Sequence, residues 1–150
     1  VSFSANWSYF GGGLRNESGS PILNHVTFYA NSGGLGQGGA GGGMANGSGS
    51  PELSNVTFTA NTSDGGGGIY NVSGSPTITH ATFNRNQGTY GGGAIYNRFG
   101  VLVLRDSIVW RNTPSQFFEH ATLPDATIGN NLIEGGCPIA TCQRARTAGP

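Results

Sequence analysis

Seven carboxylates are the residues with which this chain could do acid–base chemistry on a polysaccharide or hold a cation. They are Glu17, Glu52, Asp64, Asp106, Glu119, Asp125 and Glu134. Glycoside hydrolysis needs two carboxyl groups within about 10 Å of each other, and a calcium ion needs several oxygen ligands around one point. The acids are scattered along the chain, and the repeat described below places no two of them side by side. We therefore predict no catalytic residue and no enzymatic activity.

Two histidines occupy equivalent positions and are the first candidates for a metal site. His25 and His80 lie two repeats apart, which is about 10 Å at the spacing of neighbouring strands. That distance is too large for one ion to be shared. We predict that both are surface turn residues, and that the chain has no metal site and no cofactor.

The two cysteines lie close together near the end of the chain. Cys137 and Cys142 follow a turn-like Gly-Gly pair, a pattern that predicts a small disulfide loop in an oxidising compartment. A pair of free thiols is the alternative. A structural zinc site is not expected, because it takes four ligands and His120 is the only histidine nearby.

A repeat sets the elements that position all of these side chains. An F-x-x-N tetrad occurs four times, with its Phe residues 25, 30 and 25 residues apart. The tetrads begin at Phe3, Phe28, Phe58 and Phe83. Each is followed by a glycine run that ends in an aliphatic residue: Leu14, Met44, Ile69 or Ile95. A repeat of this length is the strongest indication of architecture in the sequence, because periods of about 20–50 residues are typical of repeat folds.

Three apolar columns run through the repeats, one residue from each short strand. The Phe residues form the first column and Leu14 with its equivalents the second; the third is Leu23, Leu53, Ile78 and Leu104. Strands this short cannot close a core alone, and 28 glycines disfavour helix. Stacked repeats turn each column into a continuous ladder. We predict an all-β fold, a right-handed, single-stranded parallel β-helix (a solenoid) of about four to five coils.

The coils are predicted to cover residues 1–112, with repeats near 1–25, 26–55, 56–80 and 81–106 and a partial one at 107–112. The extra length of the second repeat falls in residues 32–40. Residues 113–150 are predicted to form an irregular terminal segment that holds the cysteine pair, with one or two strands near 126–128 and 131–133. Trp110, Phe117 and Phe118 are the predicted cover of the last core layer.

Asparagine ends two of the strands in almost every repeat. The Phe strands end at Asn6, Asn31, Asn61, Asn86 and Asn112, and the aliphatic strands end at Asn16, Asn46, Asn71 and Asn97. Asn tolerates the left-handed conformation of a tight corner, and its amide can bond to the coils above and below. We predict that these residues form structural ladders. Glycan attachment or ligand contact is the alternative.

One outward column is a candidate glycan contact. It contains Arg15, Ala45, Tyr70 and Tyr96, so the two tyrosines should stack on adjacent coils. A stacked aromatic platform suits a sugar ring, although cross-strand support of the sheet explains it as well. A threonine column raises ice binding as a remote alternative, but its T-x-T pairs occur only at Thr57/Thr59 and Thr77/Thr79, on different faces.

Six N-x-S/T sequons are present, and five of them coincide with ladder positions. Asn55 is the exception, since it precedes a strand in a column otherwise filled by His25, His80 and Asp106. Asn55 is therefore the candidate glycosylation site.

Composition argues against two classes of partner, nucleic acid and the membrane interior. Charged residues make up 9% of the chain, with seven acidic and seven basic residues, so the sequence has no basic patch for nucleic acid. No apolar run approaches the roughly 18 residues of a membrane-spanning helix. We predict neither a nucleic-acid partner nor a membrane span.

The F-x-x-N tetrads that alternate with Gly-Gly-Ala-Ile, as at residues 92–95, resemble the polymorphic outer-membrane protein repeats of chlamydiae and related β-helix repeats of bacterial surface proteins. The other three copies have Gly in place of Ala. Residues 107–112, SIVWRN, are similar to the run that often closes such β-helices in large bacterial exoproteins.

The resemblance implies a right-handed β-helix displayed outside the cell, extracellular or on the cell surface of a bacterium, that contacts host or neighbouring surfaces or their glycans. From it we predict a non-catalytic structural or adhesive module such as a stalk or a fibre-forming unit. The alternative is a glycan-binding or pectate-lyase-like, glycan-active β-helix.

The first coil begins abruptly at Val1 without a capping helix. An uncovered β-helix end presents an apolar layer and unpaired backbone groups. Two explanations follow: the chain is part of a longer solenoid, or copies associate head-to-tail into filaments.

Overall fold

The computed structural model describes residues 1–36, 40–119, 126–136 and 146–148. In these ranges the chain forms short parallel β-strands, most of them three residues long, and no helix. The strands stack in about five coils to form three long sheets and one two-stranded sheet. The predicted all-β parallel solenoid is confirmed.

Each long sheet collects the equivalent strands of successive coils. The Phe sheet contains β1 (Ser2–Ser4), β4 (Thr27–Tyr29), β7 (Thr57–Thr59), β11 (Thr82–Asn84), β15 (Ile108–Trp110), β18 (Leu132–Glu134) and β19 (Arg146–Ala148). The Tyr sheet contains β2 (Leu14–Asn16), β5 (Met44–Asn46), β9 (Ile69–Asn71), β13 (Ile95–Asn97) and β16 (Phe117–Glu119). The Leu sheet contains β3 (Ile22–Asn24), β6 (Glu52–Ser54), β10 (Thr77–Thr79), β14 (Val103–Arg105) and β17 (Thr127–Gly129). The two-stranded sheet pairs β8 (Thr62–Ser63) with β12 (Gln87–Gly88).

The register joins equivalent residues of neighbouring repeats. Phe28 pairs with Phe3 on one side and with Phe58 on the other. The Phe28 and Phe58 rings lie 4.5 Å apart and within 2° of parallel, and the Phe58 and Phe83 rings lie 4.9 Å apart. Phe28, Phe58 and Phe83 are fully buried, so the first apolar column is a stack of rings at the centre of the solenoid.

The third residue of each glycine run faces both the ring and the backbone of the next coil, since the Ala94 carbonyl lies 2.5 Å from a Cβ placed on Gly68. A Cβ on Gly43 would come within 2.6 Å of the Phe58 ring, and a Cβ on Gly68 within 3.0 Å of the Phe83 ring. In the fourth run this position is Ala94, and the next coil has Val109 in the Phe column. Ala is therefore found where the facing residue is smaller than Phe.

The insertion of the second repeat lies at one corner, as predicted. Ser32 is bridged to both neighbouring coils, and so is Ala40. The inserted residues therefore lie between two positions at which the backbone is paired with both neighbouring coils. The N–H of Gly36 donates to Oδ1 of Asp64, 3.0 Å away, and Asp64 is buried.

The strand columns continue after residue 112, because β16, β17 and β18 pair with β13, β14 and β15. Strands were predicted near 126–128 and 131–133, and both are present. The prediction that Trp110, Phe117 and Phe118 cover the last layer is wrong. Phe117 is buried beside Ile95 and continues the interior column, whereas Phe118 and Trp110 continue outward columns.

The left-handed residue at each corner is not the ladder asparagine, which corrects our prediction. At the end of the Phe strands the positive φ falls on the residue before Asn, with 53° at Ala30, 55° at Ala60 and 54° at Arg85. At the end of the Leu strands it falls on the His25 column, with 54° at His25 and 53° at Asn55. The Asn residues that end the Tyr strands do not have positive φ. The left-handed residue precedes the ladder Asn by one position, and the turn at this residue directs the Asn side chain into the interior of the solenoid.

Candidate functional site

The first asparagine ladder follows the Phe strands and connects five coils. Each Nδ2 donates to Oδ1 of the Asn on the next coil at 2.9–3.0 Å, and each backbone N–H donates to the same Oδ1 at 2.9–3.1 Å. The second Nδ2 hydrogen is donated to a Phe carbonyl of the previous coil. The Asn61 amide thus has two accepted and two donated bonds, which is the capacity of a buried amide.

The second ladder follows the Tyr strands and closes a turn as well as joining coils. The Nδ2 of Asn16, Asn46 and Asn71 donates to Oδ1 of the next Asn at 2.7 Å. Each of the four Asn residues also donates to the carbonyl of the glycine three residues ahead, at 2.7–2.8 Å. The fourth turn has lost its S-G-S-P sequence but keeps this bond, from Asn97 to Gly100.

Two residues that sequence reasoning missed end the first ladder. Asn112 donates from Nδ2 to Oε1 of Gln116 at 2.7 Å. The Nε2 of Gln116 donates to Oε2 of Glu134 at 3.0 Å, which also accepts the N–H of Arg111. Gln116 takes the place that the Asn of a further coil would occupy. The repeat spacing breaks down here, so no sequence signal marked it.

In the last coils, the corner after the Leu strands contains two of the hydrogen bonds that occur in the first ladder. Ser107 and Asn131 continue a column that contains valine in earlier coils. The N–H of Ser107 donates to Oδ1 of Asn131 at 2.8 Å, and Nδ2 of Asn131 donates to the Leu104 carbonyl at 2.9 Å. Both bonds reproduce the geometry of the first ladder at another corner.

The outward column of the Tyr sheet brings the candidate glycan contacts together. Arg15, Ala45, Tyr70 and Tyr96 occupy successive coils, as predicted. The Tyr70 and Tyr96 rings lie 5.1 Å apart and are tilted by 37°, whereas Tyr96 stacks at 4.5 Å on Phe118, which was not predicted to belong to this column. Burial raises the pKa of Tyr96, and the neighbouring Tyr70 raises it further, whereas Arg98 lowers it.

A cavity of about 130 Å³ lies over Ala45, where the column has no large side chain. Its walls include Tyr70 on one side and Phe10 and Arg15 on the other. The Arg15 guanidinium lies 5.3 Å from the centre of the Phe10 ring and forms an ion pair with Glu17. Two aromatic rings and one ion pair therefore surround a single alanine.

The remaining candidate residues lie apart from this cavity. His25 and His80 are exposed turn residues with φ of 54° and 51°, as predicted. Asn55 is exposed, and its Nδ2 donates to Oδ1 of Asn24 at 3.2 Å; its glycosylation stays a prediction. The T-x-T pairs fall on the Phe sheet and the Leu sheet. They do not form one flat ice-binding face.

Among the described residues no three His, Cys, Asp or Glu side chains are grouped as metal ligands. The same part of the chain contains no helix long and apolar enough to cross a bilayer. Cys137 and Cys142 lie outside the described residues, so their disulfide stays a prediction.

Comparisons with known proteins give one similarity. Residues 55–72 and 80–98 match the model of the Chlamydia polymorphic membrane protein repeat. Neither a search of curated proteins nor a search of solved structures gave a match. Each matched segment runs from the Phe strand through a first-ladder Asn and the glycine run to the Tyr strand. The similarity therefore covers residues that shape the coil.

Proposed function

We propose that this chain is a non-catalytic structural module of a bacterial surface protein, a rigid shaft displayed outside the cell. One observation carries the proposal: the buried asparagine side chains bond from coil to coil along the solenoid axis. Buried polar groups are costly unless their hydrogen bonds are satisfied. Here their bonding is committed to holding neighbouring coils together.

The geometry suits a spacer. Each added coil extends the solenoid by one strand spacing, about 4.8 Å, so its length grows with the number of repeats. The parallel Phe rings and both ladders continue through the first four coils. A shaft built this way resists bending, because tilting one coil against the next would strain the Phe stack and both asparagine ladders at the same time.

The proposed location is supported by the two segments similar to the Chlamydia polymorphic membrane protein repeat. An antibody raised against the chain, applied to intact and to permeabilised cells of the organism that makes it, tests this location. We expect equal labelling of both preparations. Labelling that requires permeabilisation contradicts display outside the cell.

The competing function is a glycan-active enzyme of the pectate-lyase type. Hydrolysis and lyase assays of the purified chain on neutral and acidic polysaccharides separate the two. We expect no turnover. A turnover that disappears when two of the seven acids are replaced by their amides contradicts the structural role.

A further inference from the structure

The cavity over Ala45 interrupts a column of large side chains. The column runs from Arg15 through Ala45 to Tyr70, Tyr96 and Phe118. Tyr96 covers one side of the Tyr70 ring at 5.1 Å. The other side of Tyr70 therefore lines the cavity. A single small residue leaves one position of the column open.

The dimensions of this opening suit one ring. Arg15 and Tyr70 lie two coils apart, which is about 9.6 Å along the axis. A ring centred between them would be about 4.8 Å from each, close to the 4.5 Å and 5.1 Å that separate the ring centres of the existing column.

The polar groups at the rim select the chemistry of the ring. Arg15 offers N–H donors and Glu17 offers carboxylate acceptors, and the two already form an ion pair. Their charges offset each other, so the rim favours a neutral ligand that both donates and accepts hydrogen bonds. Adjacent hydroxyl groups of a sugar do both, whereas the ring of a Phe side chain does neither.

The Arg15 side of the rim packs against neighbouring rings, although the Arg15 and Glu17 side chains are more than half exposed. The Phe10 ring packs against the guanidinium group of Arg15 at 5.3 Å, and Phe10 itself packs edge-on against Tyr9 at 4.7 Å. Groups that are already ordered lose less entropy on binding.

From this geometry we infer a binding site for one neutral pyranose ring, stacked on Tyr70 above Ala45 and hydrogen-bonded by Arg15 and Glu17. The site goes beyond the role of a shaft and does not depend on where the module is displayed. It gives the solenoid a lateral contact for a neutral glycan.

Saturation-transfer NMR of the whole chain with the methyl glycosides of glucose, galactose, mannose and N-acetylglucosamine tests the site. We expect at least one of them to bind at millimolar concentration. Ala45→Tyr should weaken this binding on the order of tenfold, because the new ring fills the opening and packs against Tyr70 as Tyr96 does on the other side. Glu17→Gln should weaken it less, since the amide keeps one acceptor.

Tyr29→Ala is the matched control, because Tyr29 is an exposed aromatic residue on the Phe sheet. It should leave glycoside binding unchanged, and near-ultraviolet circular dichroism checks that each variant is folded. The inference is overturned if none of the four glycosides binds, or if folded Ala45→Tyr binds as the parent does. Binding of N-acetyl-tryptophanamide without binding of any glycoside also overturns it, in favour of an aromatic ligand.

Discussion

The corner after the Phe strands and the corner after the Leu strands have the same backbone turn but different buried side chains. The left-handed residue is Ala60 with φ of 55° in one and Asn55 with φ of 53° in the other. The next residue is Asn61 in the first corner and Val56 in the second, and both are buried. The turn therefore does not require asparagine. What asparagine adds is a set of hydrogen bonds between coils.

The last coils show that the two kinds of corner are interchangeable. Ser107 and Asn131 follow Val56 and Ala81 in the column of the second corner, and Asn131 makes two of the bonds that Asn61 makes in the first: it accepts from a backbone N–H and donates to a strand carbonyl. One turn geometry can thus be filled by an apolar side chain or by a bonded amide. Four sets of variants test this difference between the corners.

Asn61→Ala should have the largest effect. It removes the acceptor of the Asn31 N–H and Nδ2 groups and the donor to the Phe28 carbonyl, all of them buried or partly buried. Each buried group left without a partner costs about 1–3 kcal/mol, so we expect a loss of about 3 kcal/mol or more in the free energy of unfolding. Denaturant titration measures it. The control Asn24→Ala, at an exposed position, should change the same quantity by less than about 0.5 kcal/mol.

The exchanges Asn61→Val and Val56→Asn should differ. Valine at position 61 breaks the same bonds as alanine, whereas an amide at position 56 can adopt the geometry of Asn131 and bond to the Val26 N–H and the Leu23 carbonyl. We expect Val56→Asn to cost about 1–2 kcal/mol and Asn61→Val to cost more. Equal losses in parallel denaturation curves would show that the second corner cannot accept an amide.

Gln116→Ala tests the end of the ladder. It removes the acceptor of the Asn112 amide, but at a partly buried site, where water can replace the lost partner. We expect a loss of about 1 kcal/mol, smaller than for Asn61→Ala. A loss as large as that of Asn61→Ala, measured in the same buffer, would mean that the end of the ladder matters as much as its centre.

Glycine at the two left-handed positions should give the smallest effects. Ala in this conformation costs about 1–2 kcal/mol, and the entropy of Gly in the unfolded chain offsets about 0.5–1 kcal/mol of the relief. We expect Ala60→Gly to stabilise the fold by about 0.5 kcal/mol. Asn55→Gly should gain less, because Asn tolerates the left-handed region better. A destabilised Ala60→Gly variant in thermal unfolding would show that the Ala60 methyl packs rather than strains.

Structural features that recur in every repeat could be predicted from the sequence, whereas features that occur in a single coil were missed. Equivalent residues fell into columns at a fixed spacing, so the Phe stack and both asparagine ladders could be derived without coordinates. The ending at Gln116 and Glu134 could not, because the equivalent positions of the preceding coil are Ala94 and Trp110, so neither side chain repeats. The left-handed turn was assigned to Asn from its general preference, although Ala, Arg and His adopt it here.

The candidate binding site was predicted in part for a similar reason. Tyr70, Tyr96 and Arg15 were recognised by their column, and the structure brings them into one outward row. Phe118 was assigned elsewhere because the glycine run before it is missing. The cavity itself depends on the small size of Ala45 and on Phe10, which comes from an adjacent column. No periodic pattern shows a cavity of this kind.

A double-mutant cycle between Asn31 and Asn61 tests most directly whether amide-to-amide bonds hold the coils together. The free energies of unfolding of the parent, Asn31→Ala, Asn61→Ala and the double variant give the coupling between two side chains that bond at 3.0 Å. The cycle of Asn61 with Asn46, which belongs to the other ladder, is the control and should be additive within about 0.5 kcal/mol. We predict a coupling of about 1–3 kcal/mol for Asn31 with Asn61. Additivity of that pair would contradict the account.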